Sequence, residues 1–212
     1  MIDEFKQSTA TLIAATAVAV LAIALAGCAG SGKATVEQDV AATQHVCASC
    51  HGADGLGVSP TFPRLAGQQA DYIVVQLKSF RDKTRADPHA HTYMWGMAAK
   101  LSDETIDGLA ASYSAMPPAT GTAGDPAETA AGARIFAQGI TDRQVPACSA
   151  CHGDKATGNG QIPRLAGQYR NYIEGQLAAF VSNSRANEMM HDNSKNLTPL
   201  EIAQVAAFVT AQ

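Results

Sequence analysis

The sequence carries one five-residue pattern twice: Cys47-Ala48-Ser49-Cys50-His51, and again Cys148-Ser149-Ala150-Cys151-His152. The order C-x-x-C-H is the attachment signal for a c-type haem. Two thiols three residues apart suit the two vinyl groups of one porphyrin, and the neighbouring imidazole then meets the iron as its proximal ligand. Two such sites predict two covalent haem c groups, one on Cys47 and Cys50 and one on Cys148 and Cys151, with His51 and His152 on the irons. Structural zinc and disulfide pairing are the alternatives. Ribbon-type zinc sites separate their knuckles by about 15–20 residues, whereas 98 positions separate Cys50 from Cys148. A thioredoxin-like redox pair needs a βαβ setting, and no strand-like alternation surrounds either site.

The duplication extends downstream. Pro63-Arg64-Leu65-Ala66-Gly67-Gln68 returns letter for letter as Pro163-Arg164-Leu165-Ala166-Gly167-Gln168. Tyr72, Ile73, Gln76, Leu77, Phe80 and Arg85 return one hundred residues later as Tyr172, Ile173, Gln176, Leu177, Phe180 and Arg185. The spacing of the apolar positions predicts a helix over 72–85 and its copy. Ser102, followed by Asp103 and Glu104, caps a helix whose inner face is Ile106, Leu109, Ala110 and Tyr113. Thr198-Pro199-Leu200-Glu201 is a capping box with Pro at N1. Short helices are expected over 36–46 and 129–138, and a polar loop over 86–100. The stretch 117–127, rich in Pro, Gly, Ala and Thr, reads as a linker. The fold is therefore all-α, with two tandem homologous domains at 29–116 and 128–212.

The 212 residues are 46% hydrophobic but only 6% aromatic, so two buried porphyrins are expected to fill part of the cores. A net charge of −4 gives no basis for nucleic-acid binding. The two halves are alike, with 7 basic and 9 acidic residues over 28–120 against 7 and 8 over 121–212. Residues 9–26 are an uncharged apolar run ending in Leu25-Ala26-Gly27-Cys28, which resembles a lipoprotein signal that lipidates Cys28. Asp3 and Glu4 against Lys6 depart from the positive n-region of such signals. An uncleaved membrane anchor over 1–28 is the other reading, since about 20 apolar residues span a bilayer. Either one tethers the domains outside the cytoplasmic membrane.

The sixth iron ligand decides between a carrier and an enzyme. Thioether sulfur favours reduced iron and raises the potential. Aligning the final helices through Leu101 and Leu197 superposes Met94 on Met190, whereas Met97 falls on Asn193 and Met189 on Tyr93. Met94 and Met190 are the predicted axial partners of His51 and His152, with Met97 and Met189 as fallbacks. His45, His89, His91 and His191 do not coincide under the repeat, which argues against two-histidine ligation. Pro63 and Pro163 lie where a carbonyl would orient the proximal imidazole. Arg64 and Arg164 suit carboxylates such as haem propionates, or a solvated surface.

On these residues the chain resembles the dihaem cytochrome c4 family. The match runs over roughly 36–212 and rests on the two C-x-x-C-H sites, the P-R-L-A-G-Q segments, the Y-x-x-x-Q-L-x-x-F helices, the two Met loops and the V-P-A-C-S-A-C-H approach to the second site. The resemblance implies two class I cytochrome c domains, haems facing one another across the interface, and single-electron transport in the periplasm. Its implied donor is a quinol–cytochrome c reductase or another redox protein, and its implied acceptor a terminal oxidase of the cbb3 type. It implies no enzymatic activity. Two features depart from the pattern. The first domain lacks the helix signature supplied in the second by Gly132 and Phe136, so its first helix is expected to pack differently. Its Met loop is longer and carries Trp95 beside Met94, which is expected to alter exposure or docking at the first haem. The competing readings are a dihaem peroxidase or thiosulfate dehydrogenase, which needs an open or differently ligated iron, and a haem subunit of a dehydrogenase complex.

Overall fold

The computed structural model describes residues 31–212. The expected signal or anchor over 1–28, and Cys28 with it, lies outside the described residues. No described helix is long and apolar enough to cross a membrane.

The first domain begins with α1 (Ser31–His51), which runs unbroken into the first C-x-x-C-H. That is longer than the helix expected over 36–46. Then come α2 (Ala70–Arg81), a π-type turn (Ala90–Met94), α3 (Trp95–Ala98) and α4 (Asp103–Ala115). Two expectations need correcting here. α2 stops four residues short of Arg85, because the chain turns at Asp82 and Lys83 takes the left-handed conformation at φ 59°. The stretch expected as a loop over 86–100 is largely helical, started by Asp87, whose carbonyl accepts from His91 N–H.

The second domain breaks its first helix. α5 (Pro126–Gln138) starts inside the expected linker, capped by the Asp125 side chain with Pro126 in its first turn. Gly139 ends it at φ 69°, and an antiparallel bridge joins Ile140 to Val145 before α6 (Ser149–His152). α7 (Arg170–Val181), α8 (Glu188–Ser194) and α9 (Pro199–Thr210) complete the domain. Thr198 and Glu201 form the reciprocal capping box at the start of α9. Among the described residues there is no strand beyond two isolated bridges.

In the second domain one apolar cluster joins Ile135 and Phe136 of α5, Ile173 of α7, and Ile202, Val205, Ala206 and Val209 of α9. Each large side chain buried in this way contributes about 1.5–3 kcal/mol. The first domain divides its core in two. One cluster holds Ile73, Leu109, Ala110 and Tyr113, and the other Phe80, Ala90 and Ala98.

The crossing of first and last helices differs between the copies in an informative way. A Cβ on Gly132 of α5 would meet the Gln204 carbonyl oxygen at 1.8 Å. In the first domain Val40 of α1 lies against Gly108 of α4, where a Cβ would sit 2.4 Å from the valine Cγ2. Gly108 and Gln204 stand at the same offset as Leu101 and Leu197. The close approach is present in both domains, but the glycine has moved to the other helix. The first helix therefore does pack differently, through its partner's glycine.

Candidate functional site

Cys47, Cys50 and His51 share the last turn of α1, at spacings that put them on one helix face. Cys148, Cys151 and His152 repeat this around α6. His51 and His152 are each 7% exposed. Their Nδ1 atoms lie 2.9 Å from the Pro63 carbonyl and 3.0 Å from the Pro163 carbonyl. A carbonyl only accepts, so Nδ1 carries the proton and Nε2 keeps its lone pair for a metal. Burial pushes both imidazole pKa values down, against the smaller upward pull of the carbonyl. The ligating, neutral form is thus the one the site favours. The loop is held the same way twice: Gly57 N–H donates to the His51 carbonyl and Gly158 N–H to that of His152.

The four cysteines are unpaired. Burial pushes the Cys47 thiol up, and that of Cys148 to about 11. Both are protonated thiols at neutral pH. Among the described residues no three His, Cys, Asp or Glu side chains gather as a metal-ion cage. One imidazole beside two thiols on one face suits a metal whose equatorial ligands come from a porphyrin.

Met94 ends the π-type turn and is partly buried against the cluster of Phe80, Ala90 and Ala98. Met190, in α8, is partly buried too, its N–H taken by Asn187 Oδ1 at 2.9 Å. Met97 and Met189 are 56% and 61% exposed. His45, His89 and His91 are exposed, and His191 Nδ1 lies 2.8 Å from the Phe180 carbonyl. Trp95 is half-buried and donates its Nε1–H to the Arg85 carbonyl at 2.8 Å. In the first domain alone, a row of edge-on rings runs from His51 through Phe62 and Tyr93 to His89.

Arg64 and Arg164 meet at the seam between the domains. Arg64 donates to the Gly167 carbonyl and lies over the Tyr169 ring. The Nε atoms of Arg64 and Arg164 are both buried without a partner. Two orphaned N–H donors on cationic groups fit a carboxylate acceptor, and a haem propionate is one.

A second seam cluster was marked by the repeat, but its role was missed. Arg85 Nη1 donates to Gln76 Oε1 of its own domain at 2.7 Å, and Nη2 reaches across to Gln176 Oε1 at 2.8 Å and Tyr172 Oη at 3.4 Å. Arg185 mirrors this, bonding its own Gln176 at 2.7 Å, and Gln76 and Tyr72 across the seam at 2.8 and 3.0 Å. Each guanidinium lies over its own domain's ring, Phe80 or Phe180. Both arginines are 7% exposed. Burial raises the Tyr72 pKa, but the two guanidinium charges pull it down further. The letter-for-letter recurrence of these residues was the available signal. That they contact the other copy rather than their own was not readable from it.

The comparisons agree with this geometry. A cytochrome c family model matches twice, over 38–111 and 129–212. Cytochrome c-552 of Acidithiobacillus ferridurans is 40% identical over 167 residues, covering 78% of this chain and 73% of that protein. The thiosulfate dehydrogenase electron acceptor of Stutzerimonas stutzeri is 39% identical, covering 76% of each. Cytochrome c4 of Acidithiobacillus ferrooxidans superposes with a TM-score of 0.75 at 40% identity, over 78% of this chain and 98% of the other. Two tandem matches, together with relatives matched over most of their own length, place the chain in the cytochrome c family, among the cytochromes c4 that carry electrons on two haem c groups.

Proposed function

We propose that Cys47 and Cys50 hold one haem and Cys148 and Cys151 the other, with His51 and Met94 closing the first iron and His152 and Met190 the second. When bound, each haem supplies an iron that cycles between ferrous and ferric by one electron. The Pro63 and Pro163 carbonyls fix the imidazoles, and Arg64 and Arg164 take propionates at the seam. The domains run over 29–116 and 128–212, joined by the linker at 117–127. The observation that carries the reading is burial. At the repeat-equivalent place in each ligand loop, Met94 and Met190 are turned inward while Met97 and Met189 are more than half exposed.

With both irons closed, the chain acts as a carrier rather than an enzyme. It passes single electrons on the periplasmic side from a quinol–cytochrome c reductase to a terminal oxidase of the cbb3 type, tethered through lipidated Cys28 or an uncleaved N-terminal segment. A second donor is favoured by one relative, named as the electron acceptor of a thiosulfate dehydrogenase. Under that reading the same carrier takes its electrons from a thiosulfate-oxidising enzyme.

The test is axial replacement. Met94→His and Met190→His should each remove one haem's sulfur–iron absorption, keep that iron low-spin and lower its potential, within a range of about 0.8 V spanned by axial ligand types. Met97→Leu and Met189→Leu should leave the absorption in place. The reading is wrong if the Met97 or Met189 variant loses the band, or if the reduced wild-type protein binds carbon monoxide readily. Mixing the reduced donors with the purified protein separates the two donor readings by rate. Cys28→Ser should release the protein from membranes with its haem spectrum unchanged; retention, with residues 1–27 present by mass, supports the uncleaved anchor.

A further inference from the structure

Tyr113 carries a hydroxyl into an apolar cluster of the first domain. Its ring packs with Ile73, Leu109 and Ala110, and the residue is 2% exposed. Its Oη is buried, and no oxygen or nitrogen takes its proton. A hydroxyl left in this way costs stability that a phenylalanine ring would not. What it faces is sulfur. Cys47 packs against the same cluster. Burial pushes the Cys47 thiol up, while its own N–H and the Tyr113 hydroxyl pull it back, as donors to sulfur do. Sulfur is a weak acceptor, so the contact is looser than one to oxygen.

The second domain has no such hydroxyl. Gly67 N–H donates to the Tyr113 carbonyl at 3.0 Å and Gly167 N–H to the Val209 carbonyl at 2.9 Å, which fixes Val209 as the counterpart. Val209 is fully buried, in the cluster against which Cys148 packs. Burial dominates at Cys148, and no side-chain donor opposes it. Packing alone is thus satisfied by an aliphatic group in one copy. The phenol of the other adds a polar atom beside an attachment cysteine.

We propose that Tyr113 is a positioning residue for the first haem: its hydroxyl donates to the Cys47 sulfur once that sulfur is a thioether, which steadies that edge of the porphyrin and draws electron density from it, a contact the second haem lacks. A sulfur bonded to two carbons has no proton of its own and can only accept. A donor at that sulfur favours the electron-rich ferrous state, since hydrogen bonding around a haem is one of the protein's levers on it. The Gly67 bond to the Tyr113 backbone ties α4 to the P-R-L-A-G loop and holds the ring in place. This rests on the reading that Cys47 holds the first haem.

The experiment uses the dihaem protein and Tyr113→Phe, which removes the oxygen and keeps the ring. The reduced-minus-oxidised infrared difference spectrum should contain a phenol band that this variant loses. In spectroelectrochemistry the potential of one haem should fall and that of the other stay. The ferrous-to-ferric ratio of the affected haem at a fixed potential should change by roughly threefold, about half of the 59 mV that a tenfold change represents. A double-variant cycle with Cys47→Ala separates this from packing: with the sulfur gone, Tyr113→Phe should have no further effect on that potential. The proposal is overturned if Tyr113→Phe leaves both potentials in place, if it removes no phenol band, or if its effect persists beside Cys47→Ala. Should Cys47→Ala not accumulate with two haems, the infrared band and the single-variant potentials decide. If peptide mass analysis of the wild-type protein finds no haem on residues 47–51, the attachment reading fails and this proposal with it.

Discussion

The Gln68 carboxamide stands in for a peptide group beside Arg164. Its Oε1 accepts the Arg164 N–H at 2.7 Å and its Nε2 donates to the Arg164 carbonyl at 3.0 Å. Gln168 does the same for Arg64, with both bonds at 2.9 Å. Each domain thus completes the other's P-R-L-A-G loop, the loop whose proline carbonyl accepts from the His51 or His152 imidazole.

Replacing Gln68 with Leu leaves a backbone N–H and a carbonyl of the other domain without partners. The cost should be about 1–3 kcal/mol for each group left unsatisfied. Gln68→Glu restores the acceptor but not the donor and should fall between. Urea titration read separately at the two haems checks this. Unfolding of the second domain should shift with a substitution made in the first.

The imidazole is oriented by a carbonyl rather than by the pyrrolidine ring. Pro163→Ala keeps that carbonyl, so the haem spectrum should stay as it is. Stability should fall by about 0.4–1 kcal/mol, through the greater freedom of the unfolded chain. Thermal melting beside an absorption spectrum separates the two effects.

Asp87, whose Oδ2 accepts from Arg85 Nε at 2.7 Å, makes an acid-sensitive contribution to stability. Its folded pKa lies below the unfolded value near 3.9. The stabilisation is therefore complete above the unfolded pKa and is lost as pH falls through the folded one. Asp87→Asn should cost about 3–5 kcal/mol at pH 7, by leaving Arg85 buried without its counter-charge. The difference from wild type should shrink as the acid limit is approached. Denaturant midpoints at pH 7 and near pH 3 measure it.

The two glycine crossings should respond differently to a methyl group. Gly132→Ala drives Cβ into the Gln204 backbone, so α5 and α9 must separate, and the loss should reach about 1–3 kcal/mol or more. Gly108→Ala meets only the Val40 side chain. Adding Val40→Ala should restore most of that loss, while no side-chain truncation rescues Gly132→Ala. Calorimetry on the single and double variants decides.

Much of this site is legible in the sequence because its parts are local. Cys47, Cys50 and His51 share one helical turn, and the loop to Pro63 is short enough for spacing to carry meaning. Repetition extends the candidate site to Met94 and Met190, since two copies aligned on Leu101 and Leu197 single out one methionine each. What lies across the seam is another matter. Arg85 and Arg185 recur in register, but recurrence says nothing about which copy they touch, and both reach the opposite one. The stretch over 86–100 is polar enough to read as loop, yet Asp87 starts helical turns in it, its carbonyl accepting the His91 N–H. Gly108 went unnoticed because a lone glycine inside a helical pattern has no periodicity to announce it.

The moved glycine also bears on how knowledge of one half transfers to the other. At this crossing one helix must give up a side chain, to admit a valine side chain in the first domain and a backbone carbonyl in the second. Position 40 tolerates valine because position 108 is bare, whereas position 132 must be bare because the backbone carbonyl of Gln204 lies against it. Tolerance at such a site is a joint property of the pair, so a substitution map measured on the first domain would misjudge the second at the residues that look most alike. Chimeras exchanging α1 for α5 alone would place valine against glutamine or glycine against glycine, one overfilled and the other hollow. The helices travel safely only together with the partner they cross.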